Sequence, residues 1–501
     1  MEVQSTEDTE AKAPASLTDE PLTRRELLAW YAYDFANSAY YQVYLGPLLP
    51  LLLKWMAEEH AWKAHAEEQS LSGSNSTMVD KESLRIPGLG LTAGSYPLAV
   101  NVCTCLVQLI CFISFAAFGD FAGYRKRLLV VFTRVGAFVL VLNVLCFSSD
   151  MWWLAGLLRV ASGTCFGLCL AFYNAYLPVL ASVHAEAVND TSRERLADEI
   201  SSKGMIAGFV GGTALAVICW VIVLLAACNG EVGVDCSEFS KFFLPSACIA
   251  LVGVWWASWG QVCFCWLKTR PGPPLPQGTP CFGWQQTWET LVFMTRYRQS
   301  LLFMISYFIF SDAYNTIMSI APLILESNFE GTLSSTMMYA CLLPMVGAVG
   351  VFLYNKLQAC FGLRTKSVIM TQLAVYVVIS LCGSLRLISR LGTAGLYIVF
   401  APTMMTLGSI QGYSRSLFSE LAPAGREAAM FALYEITDKG SNFLGLGISA
   451  GIHNATGSYE HTFFYVLPAL IVAALVLYCV DVEKGREAAG KIKEQKPQDE
   501  L

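Results

Sequence analysis

The sequence predicts an all-α polytopic membrane protein of twelve transmembrane helices, built as a pair of six-helix bundles, and three observations predict it. Of 501 residues, 55% are hydrophobic and only 14% charged, with a mean hydropathy of +0.49, whereas soluble domains carry roughly 25% charged residues. Apolar runs of about 20 residues, enough to cross a ~30 Å hydrocarbon core, recur from end to end. The second half of the chain also echoes the first.

The runs fall at 28–53, 92–118, 128–147, 151–175, 204–227 and 242–267, then at 299–323, 333–355, 367–387, 393–412, 430–452 and 462–480. They are rich in Leu, Val, Phe and Ala and lack the alternation of a membrane β-barrel, so helices are expected. Residues 1–22 are polar and acidic, unlike a cleaved signal peptide, which leaves the first span as its own insertion signal. Lys and Arg crowd the connections on the side of the two termini, among them Arg125, Lys126, Arg127, Arg193, Arg195, Lys268 and Arg270, and this bias predicts cytosolic ends. The expected organisation is a cytosolic segment 1–27, a first six-helix bundle 28–267, a Pro- and Gly-rich cytosolic linker 268–298, a second bundle 299–480 and a cytosolic tail 481–501.

Sequons at Asn75 and Asn454 fall in predicted outer loops, where glycosylation is expected, while that at Asn189 falls on the cytosolic side and should stay bare. Most of the 17 cysteines lie inside spans as small apolar packing residues. Cys228 and Cys236 bracket one short outer loop and are the candidate disulfide in an oxidising lumen.

The echoes between halves run in the same order. Asp34-Phe35-Ala36-Asn37-Ser38 in span one answers Asp312-Ala313-Tyr314-Asn315-Thr316 in span seven, and Glu199-Ile200-Ser201-Ser202-Lys203-Gly204 in span five answers Glu435-Ile436-Thr437-Asp438-Lys439-Gly440 in span eleven. Gly123-Tyr124-Arg125-Lys126 after span two answers Gly362-Leu363-Arg364-Thr365-Lys366 after span eight. Parallel duplication of a six-span unit is the simplest reading, and such repeats belong to alternating-access transporters.

The run Trp30-Tyr31-Ala32-Tyr33-Asp34-Phe35-Ala36-Asn37-Ser38-Ala39-Tyr40 resembles the first-span signature of the autophagy-related protein 22 family, vacuolar amino-acid effluxers of the major facilitator superfamily. Further matches are Phe172 to Pro178, Ser201-Ser202-Lys203-Gly204 leading to Gly211-Gly212, and Ser414-Arg415-Ser416-Leu417-Phe418 before Pro423. Gly119-Asp120 followed by Gly123 to Arg127 resembles the superfamily's loop between spans two and three, with Phe121 where a basic residue is usual. The resemblance implies a major facilitator fold that moves amino acids, neutral or branched, out of the vacuole after autophagic breakdown. Another small organic solute is the alternative cargo, and a transporter-like receptor the alternative class.

Polar groups inside spans carry the chemistry, because an ionised side chain in hydrocarbon costs several kcal/mol unless it meets partners or water. Asp34, Asn37 and Tyr41 share one face of span one, and in a fold of this kind Tyr173 and Asn174 of span four and Asp312 and Asn315 of span seven join them at the central cavity. Asp34 and Asp312 are candidates to hold a substrate ammonium or carry a coupling proton; the alternative is that they fix helix packing. Arg159, and less so Arg134, are candidates for a substrate carboxylate, with snorkelling as the alternative. Glu199 with Lys203, Glu435 with Lys439, and Asp120 with Arg125 are candidate gating pairs.

Gly204, Gly208 and Gly212 in span five, and Gly447 and Gly451 in span eleven, suggest close helix approach along a seam between bundles. Pro47, Pro50, Pro322, Pro344 and Pro402 mark bends. The sequence contains neither a phosphate-binding Gly-Lys-Ser/Thr loop nor a zinc-like His or Cys spacing, so neither an enzyme nor an ATP-driven pump is expected, and no cofactor. The expected partners are a small-molecule substrate, the lipid bilayer and protons, and not nucleic acid.

Overall fold

The computed structural model describes residues 21–72, 83–184, 190–226, 238–276, 282–326, 333–387, 390, 393–423, 425–456 and 459–495. The first helix, α1 (Arg24–Ala39), runs through a π-helical segment (Tyr40–Leu48) into α2 (Leu49–Ser72). The cause sits inside that segment. Pro47 has no N–H and its ring crowds the carbonyl four residues back, so the turn widens where Gly46-Pro47 falls.

There follow α3 (Tyr96–Phe115), α4 (Tyr124–Val141), α5 (Trp152–Asn174), α6 (Tyr176–Ser182), α7 (Asp190–Ala226) and α8 (Glu238–Trp266). The second half contains α9 (Phe282–Arg296), α10 (Arg298–Glu326), α11 (Leu333–Phe361), α12 (Thr365–Ser384), α13 (Thr393–Leu421), α14 (Glu427–Thr456), α15 (Phe463–Tyr478) and α16 (Val482–Gln495). The described residues hold no strand beyond a single bridge between Arg85 and Thr92.

Among the described residues nine helices are long and apolar enough to cross a membrane. The predicted spans one, ten and eleven correspond to α1–α2, α13 and α14, which have the length but carry polar groups at mid-helix. The architecture is thus consistent with twelve spans.

Three expectations change at the edges. The connection between the first two apolar runs, expected as a loop, is helical as far as Ser72, because Leu52, Met56, Ala57 and Ala61 make an apolar stripe that is buried. The linker 268–298 contains α9, which Gly283 presses against the Ser114 carbonyl and Thr287 ties to the Ile113 carbonyl at 3.2 Å. Its outer face exposes Trp284, Trp288 and Leu291, the composition of a helix lying at the membrane interface. The sequon at Asn454 falls within the last turns of α14 and not in a loop. Asn75, Asn189, Cys228 and Cys236 lie outside the described residues.

The core is aromatic and centred on α1: Trp30, Tyr33, Tyr40 and Tyr44 are fully buried, as are Tyr173 and Tyr176. α7 and α8 flank α1. The glycine stripe of α7 explains how closely. A Cβ at Gly204, Gly208 or Gly212 would strike Asp34, Ser38 or Gln42, and one at Gly211 would strike the Phe35 carbonyl. The stripe therefore packs α7 on α1 inside the first bundle, which corrects the expectation of a seam with α14. A Cβ at Gly447 or Gly451 meets nothing. The bundles join instead through α7 against α11 and α13, and through α14 against α3 and α5.

Replacing Gly211 with Val should destabilise the protein by about 1–3 kcal/mol through overpacking against backbone. Gly447→Val, where the side chain has room, should leave the thermal midpoint in detergent unchanged; equal midpoints for both variants would contradict this packing.

Candidate functional site

The centre of the interface is an arginine of α13 seated in the first bundle. Arg415 donates from Nε to Ser201 Oγ at 3.0 Å, from Nη2 to the Ser201 carbonyl at 3.0 Å and from Nη1 to Asn174 Oδ1 at 3.2 Å. Its guanidinium also faces the Trp30 ring at 5.0 Å and the Tyr173 ring at 5.7 Å. Those two rings stack at 4.5 Å, locked by Tyr173 Oη donating to the Trp30 carbonyl and Trp30 Nε1 donating to the Tyr173 carbonyl. Asp34 supplies the counter-charge, its Oδ2 lying 3.5 Å from Arg415 Nη2. That is a charge contact too long for a strong hydrogen bond, and Oδ2 has no hydrogen-bond partner.

A second cluster continues from the first. Asn174 Nδ2 donates to Glu435 Oε1 at 3.1 Å, and Lys439 lies 3.6 Å from Glu435 and 3.3 Å from Asp438. Tyr307 and Tyr314 both donate to Asp438 Oδ1, at 3.0 and 3.3 Å.

Two further sets of polar contacts cross between the bundles toward the end at which α1 begins and α16 packs. Asp120 accepts from the N–H groups of Ala428 and Ala429 at 2.7 and 3.0 Å, so a carboxylate of the first bundle caps the N-terminus of α14. Arg125 binds Glu427 at 3.0 Å and approaches Asp120 at 3.5 Å. On the other flank, Thr365 donates to Glu194 at 2.9 Å and Asp198 at 2.6 Å, Gln358 donates to Asp198 at 2.6 Å, and Arg486 of α16 bridges Glu194 and Glu420. Nearly all of these groups are buried, and together they close this end.

The sequence-predicted residues scatter around this arrangement. Asp34, Tyr173 and Asn174 meet at Arg415, and Asn37 is buried one turn further on with Nδ2 unpartnered. Tyr41 is 45% exposed, with Lys439 and Asp438 as its charged neighbours. Asp312 spends both oxygens inside the second bundle, accepting from the Gly445 N–H at 2.8 Å and Tyr465 Oη at 2.7 Å. Asn315 is half-buried one turn beyond it. Glu199 and Lys203 pair at 2.5 Å on an exposed face, about half accessible each, unlike the buried Glu435 and half-buried Lys439. Arg134 points outward to Gln261 at 2.9 Å.

Arg159 of α5 is buried. It donates from Nη1 to Tyr40 Oη at 3.1 Å, and from Nε and Nη2 to Asn101 Oδ1 at 3.4 and 3.3 Å. Missed from the sequence as site residues were Arg415, Glu427, Asp438 and Asn101. A signal existed for Arg415: from 393 to 421 the sole proline is Pro402 and the pattern does not break into a loop, so the arginine had to lie within a helix.

Residues 22–490 match the family model described as "Vacuole effluxer Atg22 like". Autophagy-related protein 22-2 of Aspergillus niger is 27% identical, with 97% of this chain and 95% of the relative covered. Autophagy-related protein 22-1 of Phaeosphaeria nodorum is 28% identical over 93% and 92%. Among solved structures, the human organic anion transporter MFSD10 superposes with a TM-score of 0.61 at 12% identity, covering 91% of this chain and 100% of that one. The major facilitator transporter FucP in its outward conformation gives 0.55 at 11%, over 87% and 97%. Two bundles of membrane helices closed at one end by polar contacts are thus the fold of a major facilitator transporter, and the chain belongs to the Atg22-like vacuole effluxer family.

Proposed function

We propose that this protein is a secondary transporter that moves amino acids, neutral or branched, from the vacuole to the cytosol by alternating access, in recycling after autophagy. It sits in the vacuolar membrane with both termini cytosolic, so the closed end faces the cytosol and the conformer is ready to load from the lumen. The observation that supports this best is the chemistry of the closure. Its buried contacts are charge-assisted hydrogen bonds and ion pairs, each worth only about 1.5–3 kcal/mol net because water can replace them when the end opens. An interface closed by apolar burial alone would have no such substitute.

Asp34 is the proton-carrying residue in this reading, since its Oδ2 stands in the interface beside the Arg415 cation without accepting a hydrogen bond. Uptake and counterflow of a labelled amino-acid panel in proteoliposomes test both claims. Saturable exchange is expected for the parent. Asp34→Asn should keep exchange but lose accumulation driven by a proton gradient, whereas accumulation at the parent rate removes the role of Asp34. Absence of exchange for every panel member would favour another small organic cargo.

The closure makes its own prediction. Asp120→Ala deletes two charge-assisted bonds to the N-terminus of α14 and leaves Arg125 with one carboxylate, which should shift the protein toward the state open at this end. Labelling of a cysteine introduced at Ser201, itself buried in the closure, should then quicken about tenfold or more, taking roughly 1.4 kcal/mol as the lost preference. Lys203→Gln, on an exposed pair worth under about 1 kcal/mol, should leave labelling at the parent rate.

A further inference from the structure

The charges around the centre do not balance within each bundle. Asp34 and Arg415 answer one another, but in α14 the two carboxylates Glu435 and Asp438 share the single ammonium of Lys439. Arg159 has the opposite imbalance. Its partners Tyr40 and Asn101 are neutral, and among the described residues no carboxylate stands within ion-pair distance of it. A permanently ionised guanidinium buried in a membrane helix with neutral partners alone is costly. Gly163, one turn along α5, leaves room for it: a Cβ there would strike Nη1.

The two imbalances lie on helices that pack together, α14 against α3 and α5. Tyr40, which holds Arg159, precedes Tyr41, whose exposed ring has Lys439 and Asp438 as neighbours. Cys105 of α3, one helical turn beyond Asn101, has both Lys439 and Arg159 among its charged neighbours. Gly440, next to Lys439, is exposed, and a Cβ there would meet nothing. One wall therefore presents an unanswered cation and the other a surplus of carboxylate.

We propose that Arg159 is the carboxylate-binding residue of a site for α-amino acids, with the substrate ammonium held on the opposite wall by Glu435 and Asp438. The assignment rests on the amino-acid reading above and names the groups that would recognise the zwitterion. The planar fork of Arg159 matches a carboxylate, and Asn101 and Tyr40 hold it in place. Because one charge of the ligand belongs to each bundle, a bound zwitterion supplies the counter-charge that both walls lack. A ligand with only one of the two charges answers only one wall.

Counterflow with labelled leucine and leucinamide, which differ in the carboxylate, tests this in the parent, Arg159→Gln and Arg159→Lys. The parent should prefer leucine by at least about 30-fold, the scale of a buried charge pair. Arg159→Gln should lose that preference by weakening leucine alone, and Arg159→Lys, which keeps the charge without the fork, should fall between them. If Arg159→Gln weakens leucine and leucinamide equally, Arg159 is structural and the proposal is overturned. If the parent exchanges no amino acid at all, the transport reading fails separately. Thermal stabilisation of the detergent-purified parent by acetate and succinate, lost in Arg159→Gln, would then keep Arg159 as an anion site for another cargo, and its absence would overturn that too.

Discussion

The charge of Arg415 cannot be left alone in the middle of a membrane protein, and the interface between the bundles is organised around that constraint. The side chain belongs to the second bundle, yet Ser201, Asn174, Asp34 and the stacked rings of Trp30 and Tyr173 that satisfy it all belong to the first. Removing one partner of such a pair costs about 3–5 kcal/mol, because the other charge is then buried without compensation. Replacing the whole set with water costs far less. The bundles are therefore held in register against partial disruption but remain free to part as a unit, provided that the parting admits water.

The contacts beyond Arg415 follow the same logic with different parts. Asp120 exploits the exposed N–H groups at the start of α14, so a helix end that water would otherwise solvate is capped by the opposite bundle. On the other flank, α16 contributes Arg486, which clasps Glu194 of α7 and Glu420 of α13. That helix is itself fixed by the Asp481 N–H donating to Gln299 at 2.8 Å and by Gly485 against Leu421. The closure thus spreads over three regions, each built from polar groups that can exchange partners for water.

The fold was legible because apolar length is a property of the chain alone: the runs at 92–118 and 367–387 correspond to α3 and α12 within a few residues. The site was legible only in part, because whether a polar residue pairs depends on which helix face meets which neighbour. The repeated Glu-Ile-Ser/Thr-x-Lys-Gly shows this. The Glu–Lys pair of that pattern is exposed in α7 and interior in α14, since the two copies are turned toward different surroundings. The Asp-x-x-Asn echo diverges similarly, Asp34 reaching across the interface while Asp312 ties α10 to α14 and α15. Arg415 was hidden for another reason. It falls three residues past the end of the apolar run at 393–412, yet lies inside a helix that runs unbroken from Thr393 to Leu421.

That loss of symmetry between the copies has a mechanical sense. If both Asp-x-x-Asn copies reached across the centre, the bundles would be tied equally in either state and neither would be preferred by its own contacts. With Asp34 committed to the interface and Asp312 to the interior of its own bundle, the second bundle keeps a rigid frame and offers Arg415 as its central cation to the first. A rigid frame carrying an exchangeable contact is what rocking of one bundle against the other needs, since motion then concentrates where water can replace what is broken.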